Sequence, residues 1–157
     1  MATKDVGAGA EIDGTGLRVV LVRTRWNPEI IDRLADGVTR TLAALGVDTP
    51  DVVEVPGAFE IPFACRTIAS SGRVDAIVAI GAVIRGETTH YDLVSEECAR
   101  GLQDVQIQTG VPIGFGVLAT ENVAQAEARS EAGDGHNVGA DAAQVAVEMA
   151  LLARDWA

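Results

Sequence analysis

At 157 residues with 48% hydrophobic content, the chain fits one compact domain that buries roughly two-thirds of the surface its unfolded form exposes, so covalent staples are not required. The formal net charge of −11 argues against a phosphate-backbone binder, because nucleic-acid affinity relies on clustered Lys and Arg. Lys4 is the sole lysine, so any basic residue beside a pocket carries unusual weight.

Met1 to Gly16 is rich in Gly and Ala and lacks a basic stretch followed by an apolar run. It reads as a flexible N-terminal arm over 1–16, with no signal peptide and no membrane span expected. Cys65 and Cys98 both fall in apolar-periodic segments, which predicts buried free thiols, a reducing compartment and a cytoplasmic protein.

Leu17 to Val22 is a short β-branched run that predicts a strand. Asn27 then suits a helix N-cap, Pro28 the first helical position and Glu29 the positive end of the helix dipole. Ile30, Ile31, Leu34, Val38, Leu42 and Leu45 recur at helical spacing, and Gly46 supplies the stop. The pattern repeats with a strand over Asp51 to Val55, a turn at Pro56-Gly57, and a helical stripe of Ile61, Ala64, Cys65, Ile68 and Ala69. Pro62 is tolerated there because it lies in the first turn.

Asp75 to Ile84 is almost wholly apolar, as expected of a strand covered on both faces. Leu93, Val94, Cys98, Leu102 and Val105 outline a third helix, and Ile113 to Leu118 a fourth strand. A short helix over Glu121 to Arg129 follows, with Thr120 as candidate cap, and Ala142, Val145, Ala146, Met149 and Ala153 outline the last helix. Four strand-then-helix units predict a three-layer α/β/α sandwich on a four-stranded parallel sheet, joined by right-handed crossovers, over residues 17–157.

Ligands of open parallel sheets bind beyond the carboxyl ends of the strands. The segments there are Trp26-Asn27, Gly57-Ala58-Phe59-Glu60, Arg85 to His90, and Thr120-Glu121-Asn122. His90 follows a polar, Gly-containing loop; an imidazole at that place suits proton transfer near neutral pH, and equally the start of a helix. Gly86-Glu87-Thr88-Thr89 offers backbone N–H groups and hydroxyls either to an anion or to the helix end. Glu60 suits a helix start or the binding of a polyol or amine, and Trp26 suits core packing or stacking on a flat heterocycle. Trp156 has no such context and reads as packed or frayed. The chain contains no P-loop, no dinucleotide fingerprint after a strand, no spaced Cys/His zinc cluster and no G-x-S-x-G.

Trp26-Asn27, VPGAFEIP from Val55 to Pro62, GAVIRGETTHYD from Gly81 to Asp92, and PIGFGVLATEN from Pro112 to Asn122 with Arg129 downstream together resemble the lumazine synthase family, from about Leu17 onward. The resemblance implies a flavodoxin-like fold and a transferase of riboflavin biosynthesis. Such an enzyme condenses 5-amino-6-(D-ribitylamino)uracil with 3,4-dihydroxy-2-butanone 4-phosphate to 6,7-dimethyl-8-ribityllumazine, releasing phosphate and water with no cofactor or metal. It assigns Trp26, with Asn27 beside it, to stacking on the pyrimidine, and Ala58, Phe59 and Glu60 to holding the ring and ribityl chain. Ala82, Val83 and Ile84 would line the heterocycle. Glu87 and Thr88 would meet the substrate phosphate, Arg129 would pair with it, and His90 would shuttle protons during imine formation and phosphate elimination.

Phe115 opens strand four, and a strand of about six residues is roughly 20 Å long, so Phe115 is not expected to reach its own chain's pocket. Arg129 heads back toward the same far edge along the returning helix. The resolution is that both serve a neighbour's site, in agreement with the homopentamers, and in some members 60-subunit capsids, that the resemblance implies. The segment between Arg129 and Gly139 is one residue longer than the capsid-forming pattern, and Val138 stands where a Lys is usual, which leans toward free pentamers. A riboflavin synthase is the further partner the resemblance allows. The alternatives are an archaeal-type riboflavin synthase and a non-catalytic lumazine-binding, flavin-binding or shell-forming homologue.

Overall fold

The structure is a computed structural model that describes residues 11–157. Four parallel strands form one sheet: β1 (Val19–Thr24), β2 (Asp51–Val55), β3 (Ala76–Ile84) and β4 (Ile113–Thr120), in the order β2-β1-β3-β4. The helices are α1 (Pro28–Ala44), α2 (Ile61–Ala69), α3 (His90–Thr109), α4 (Val123–Glu127) and α5 (Val138–Asp155). This is the predicted α/β/α sandwich with its four-stranded parallel sheet.

Strand β3 is central because every residue from Ala76 to Ala82 is buried, and an all-apolar sequence is stable only with both faces covered. Alternation along the strands divides the core in two. Leu21, Val78, Ile80 and Leu118 pack under α1 and α5. Val22, Ile77, Ala79 and Val117 pack under α2 and α3 together with Cys65 and Cys98. Helix α5 approaches α1 so closely that a side chain on Gly139 would collide with the Leu34 carbonyl oxygen. Gly46, at φ +83, ends α1 as expected of a residue free to adopt the left-handed region.

Several local expectations shift. Strand β1 runs from Val19 to Thr24 rather than from Leu17 to Val22, and β4 extends to Thr120. Thr120 therefore ends a strand and caps nothing; Asn122 accepts from the Gln125 N–H at 2.9 Å and starts α4. The last helix buries Gly139, Ala142, Ala143, Ala146, Val147 and Ala150, whereas Val145 and Met149 face outward. Small residues win the inner stripe because the tight approach of α5 leaves no room for larger ones. Trp156 is exposed. The arm expected over 1–16 lies mostly outside the described residues; of its remainder, Gly14 donates its N–H to the Leu45 carbonyl at 2.7 Å. Among the described residues no helix is long and apolar enough to cross a membrane.

Candidate active site

A cleft of about 790 Å³ opens beyond the carboxyl ends of β1 and β3, where a parallel sheet collects its ligand groups. Its walls include Trp26 and Asn27 after β1, Gly57 to Glu60 after β2, Ala82 to Ile84 at the end of β3, and His90 with Leu93 and Val94 on α3. Three separate strand-to-helix connections thus converge on one space.

Trp26 is 70% exposed, so its indole is not a core side chain. A side chain on Gly57 would stand 3.5 Å from the Trp26 ring and 3.8 Å from the Glu60 carboxylate, which places an aromatic face and an anionic acceptor around the same backbone. Asn27 occupies the N-cap position of α1 but makes no side-chain cap, contrary to the sequence expectation. Its φ of 57° is the single positive value among the described non-glycine residues. Asn tolerates this region better than most side chains, and the turn directs the chain away from β1 just after Trp26 enters the cleft.

The 3-10 turn Ala58–Glu60 buries Ala58 and leaves Phe59 64% exposed. Thr24, the last residue of β1, also lines the cleft and is buried, with its hydroxyl lacking a hydrogen-bond partner. Sequence reading passed over Thr24; its one signal is a hydroxyl ending an apolar strand. Gly57, Leu93 and Val94 are further cleft residues that patterning alone assigned to a turn and a helix stripe.

His90 is the first residue of α3 and is exposed to the cleft. Its backbone N–H donates to the Thr88 hydroxyl at 3.3 Å. Glu87 and Thr88 lie on the exposed loop that leads to His90 and are not part of the cleft wall. Arg85 precedes them. Its guanidinium lies 2.8 Å from Glu121, 3.4 Å from Asp92 and 4.4 Å from the Tyr91 ring centroid. The hydrogen bond to Glu121 is the main cause that raises its pKa above the ordinary arginine value.

Phe115 and Arg129 lie elsewhere. They share a second cavity, of about 490 Å³, between the outer edge of β4 and α5, with Val138, Asp141 and Val145 also on its wall. The two cavities have no lining residue in common. Arg129 donates to the Gln125 carbonyl at 2.9 Å and is half-buried. Burial raises the Asp141 carboxyl above its ordinary pKa, with His136 opposing the shift. Among the described residues no group of three or more His, Cys, Asp and Glu is arranged to hold a metal ion.

The model of the family described as 6,7-dimethyl-8-ribityllumazine synthase matches residues 16–154. The chain is 48% identical over 140 residues to the 6,7-dimethyl-8-ribityllumazine synthase of Xanthomonas campestris pv. campestris, covering 88% of this chain and 90% of that protein. It is 47% identical over 145 residues to the enzyme of the same name from Kineococcus radiotolerans, covering 92% and 89%, and 48% identical over 139 residues to that of Xylella fastidiosa, covering 87% and 90%. A parallel α/β/α sandwich with an aromatic-lined cleft at its strand ends, matched over almost its whole length, belongs to the 6,7-dimethyl-8-ribityllumazine synthase family.

Proposed function

We propose that this chain condenses 5-amino-6-(D-ribitylamino)uracil with 3,4-dihydroxy-2-butanone 4-phosphate to form 6,7-dimethyl-8-ribityllumazine, with release of phosphate and water. The observation that carries the reading is the convergence of Trp26, Glu60, Ala82 to Ile84 and His90 on one cleft. Trp26 stacks on the flat pyrimidine, whose other contacts come from the strand end. Ala58 and Phe59 flank the ring, and Glu60 accepts hydrogen bonds from the ribityl chain. His90 carries protons as the amine and ketone form the imine and as phosphate leaves.

An amine and a ketone need little beyond alignment. Holding two reactants in attack geometry supplies up to roughly 7–11 kcal/mol in favourable cases, and acid–base assistance contributes about 10²–10⁴-fold. For the proton transfers of that step, a water-accessible cleft with one imidazole is enough. The buried free thiols Cys65 and Cys98 accord with a cytoplasmic setting.

Phosphate recognition needs more than this cleft offers. Glu87 and Thr88 supply the loop that meets the phosphate, and Arg129 supplies the cation, but Arg129 and Phe115 belong to the other cavity of the same chain. Joining the β4 edge of one subunit to the strand ends of the next unites the two halves, and repetition of that head-to-tail contact closes a ring; a homopentamer is the assembly proposed.

Incubating the protein with both substrates and following lumazine fluorescence together with phosphate release tests the reading. One phosphate per lumazine is expected. Absence of product alongside tight binding of lumazine would favour a non-catalytic homologue, and conversion of lumazine to riboflavin would favour a riboflavin synthase.

A further inference from the structure

We propose that Arg85 is a positioning residue for the phosphate-bearing substrate: its guanidinium pins the loop Gly86 to Thr89 and draws two carboxylates, Asp92 and Glu121, into ion pairs that offset part of their charge beside the loop that meets the phosphate. The proposal rests on the functional reading above, in which that loop meets the phosphate.

Arg85 joins three parts of the structure. Its backbone N–H donates to the Thr120 carbonyl at the end of β4, at 2.8 Å. Its side chain reaches Glu121 just beyond β4 at 2.8 Å, and Asp92 in the first turn of α3 at 3.4 Å, while lying 4.4 Å from the centroid of the Tyr91 ring. The planar fork of Arg can hold two carboxylates and stack on an aromatic ring at once, which a lysine cannot do. The segment between these anchors has its own closure, with His90 N–H on the Thr88 hydroxyl and the N–H groups of Asp92 and Leu93 on the Thr89 carbonyl. Anchoring Arg85 therefore fixes where the loop begins, and α3 fixes where it ends.

Charge gives the second half of the argument. Arg85 is the only Lys or Arg between Val74 and Ala99, whereas Glu87, Asp92 and Glu121 all lie on or beside the loop. Without Arg85 a phosphate dianion would approach three uncompensated carboxylates. Such exposed pairs contribute little to folding, so stability does not account for the network. Gly86 adds an independent sign that the loop faces open space: a side chain there would meet nothing within 4 Å, and its backbone φ is not one that demands glycine.

The test compares wild type with Arg85→Gln, Arg85→Lys and the double variant Arg85→Gln/Glu121→Gln. At low ionic strength Arg85→Gln should raise KM for the butanone phosphate roughly tenfold, a gap that narrows in high salt. It should leave kcat within about twofold, as a charge away from the reacting atoms leaves the transition state's own stabilisation intact. KM for the ribitylaminouracil and Tm should stay unchanged. Adding Glu121→Gln should recover part of the lost affinity, and Arg85→Lys should fall between wild type and Arg85→Gln. Equal KM values in wild type and Arg85→Gln, or loss of both KM values together with Tm, would overturn the proposal. Calorimetric titration with inorganic phosphate keeps the question separate from turnover. If wild type makes no lumazine, the functional reading fails, yet weaker phosphate binding by Arg85→Gln still supports the role of Arg85, and equal binding rejects it.

Discussion

Phe115 lies beside Ala79 in the β3–β4 ladder, three residues before Ala82, where the wall of the His90 cleft begins. At roughly 3.3 Å per residue this is about 10 Å along the sheet, and Phe115 opens into the cavity at the β4 edge rather than into that cleft. A 44% exposed aromatic on an edge strand has its free face available to another chain. Phe115→Ala should therefore lower kcat/KM about tenfold, the loss of one aromatic contact worth roughly 1 kcal/mol or more, with an unchanged far-UV circular dichroism spectrum. Steady-state kinetics with each substrate varied in turn provides the check.

His90 is exposed and heads α3 without being part of either core cluster. His90→Ala should reduce kcat by about 10²-fold, within the range of general acid–base assistance, with KM values and Tm little changed. Residual turnover is expected because alignment of amine and ketone survives the substitution. Full activity at saturating substrate would remove His90 from the mechanism.

The two thiols give a prediction with a defined sign. Burial pushes the Cys65 thiol up to about 12 and the Cys98 thiol up to about 11, from an ordinary 9.0. Well below pH 9 both groups are neutral in the folded and unfolded states. As pH rises above 9 the unfolded chain releases these protons first, so stability falls through the interval up to the folded values. The native protein at pH 8 should show no thiol reactive toward an aromatic disulfide reagent, and two after denaturation. Rapid labelling of the native protein would contradict the burial of both.

The strand-helix alternation made the architecture legible, because a wholly apolar β3 and the helical spacing of α1 each have one stable setting. The strand-end rule groups Trp26, Glu60 and His90, and all three line one cleft. What eluded the sequence was local. Asn27 carries the right residue type for a cap yet adopts a left-handed backbone that turns its side chain away from capping, and Thr120 was separated from Asn122 only by knowing where β4 ends. Apart from Val147, the inner stripe of α5 consists of Gly and Ala, which hydropathy undervalues, so hydropathy points Val145 and Met149 inward although both are exposed. Thr24 and Asp141 became visible as cavity residues only when distant segments met in space.

In the proposed ring each site takes His90 from one chain and Arg129 from another. Co-refolding equal amounts of His90→Ala and Arg129→Ala chains tests it directly. In a closed ring, random mixing leaves roughly a quarter of the interfaces with both groups intact, so lumazine formation should recover to about that fraction of wild type, in particles with the mass of five subunits. Activity no greater than the mean of the two separate variants, or a fully active monomer, would contradict it.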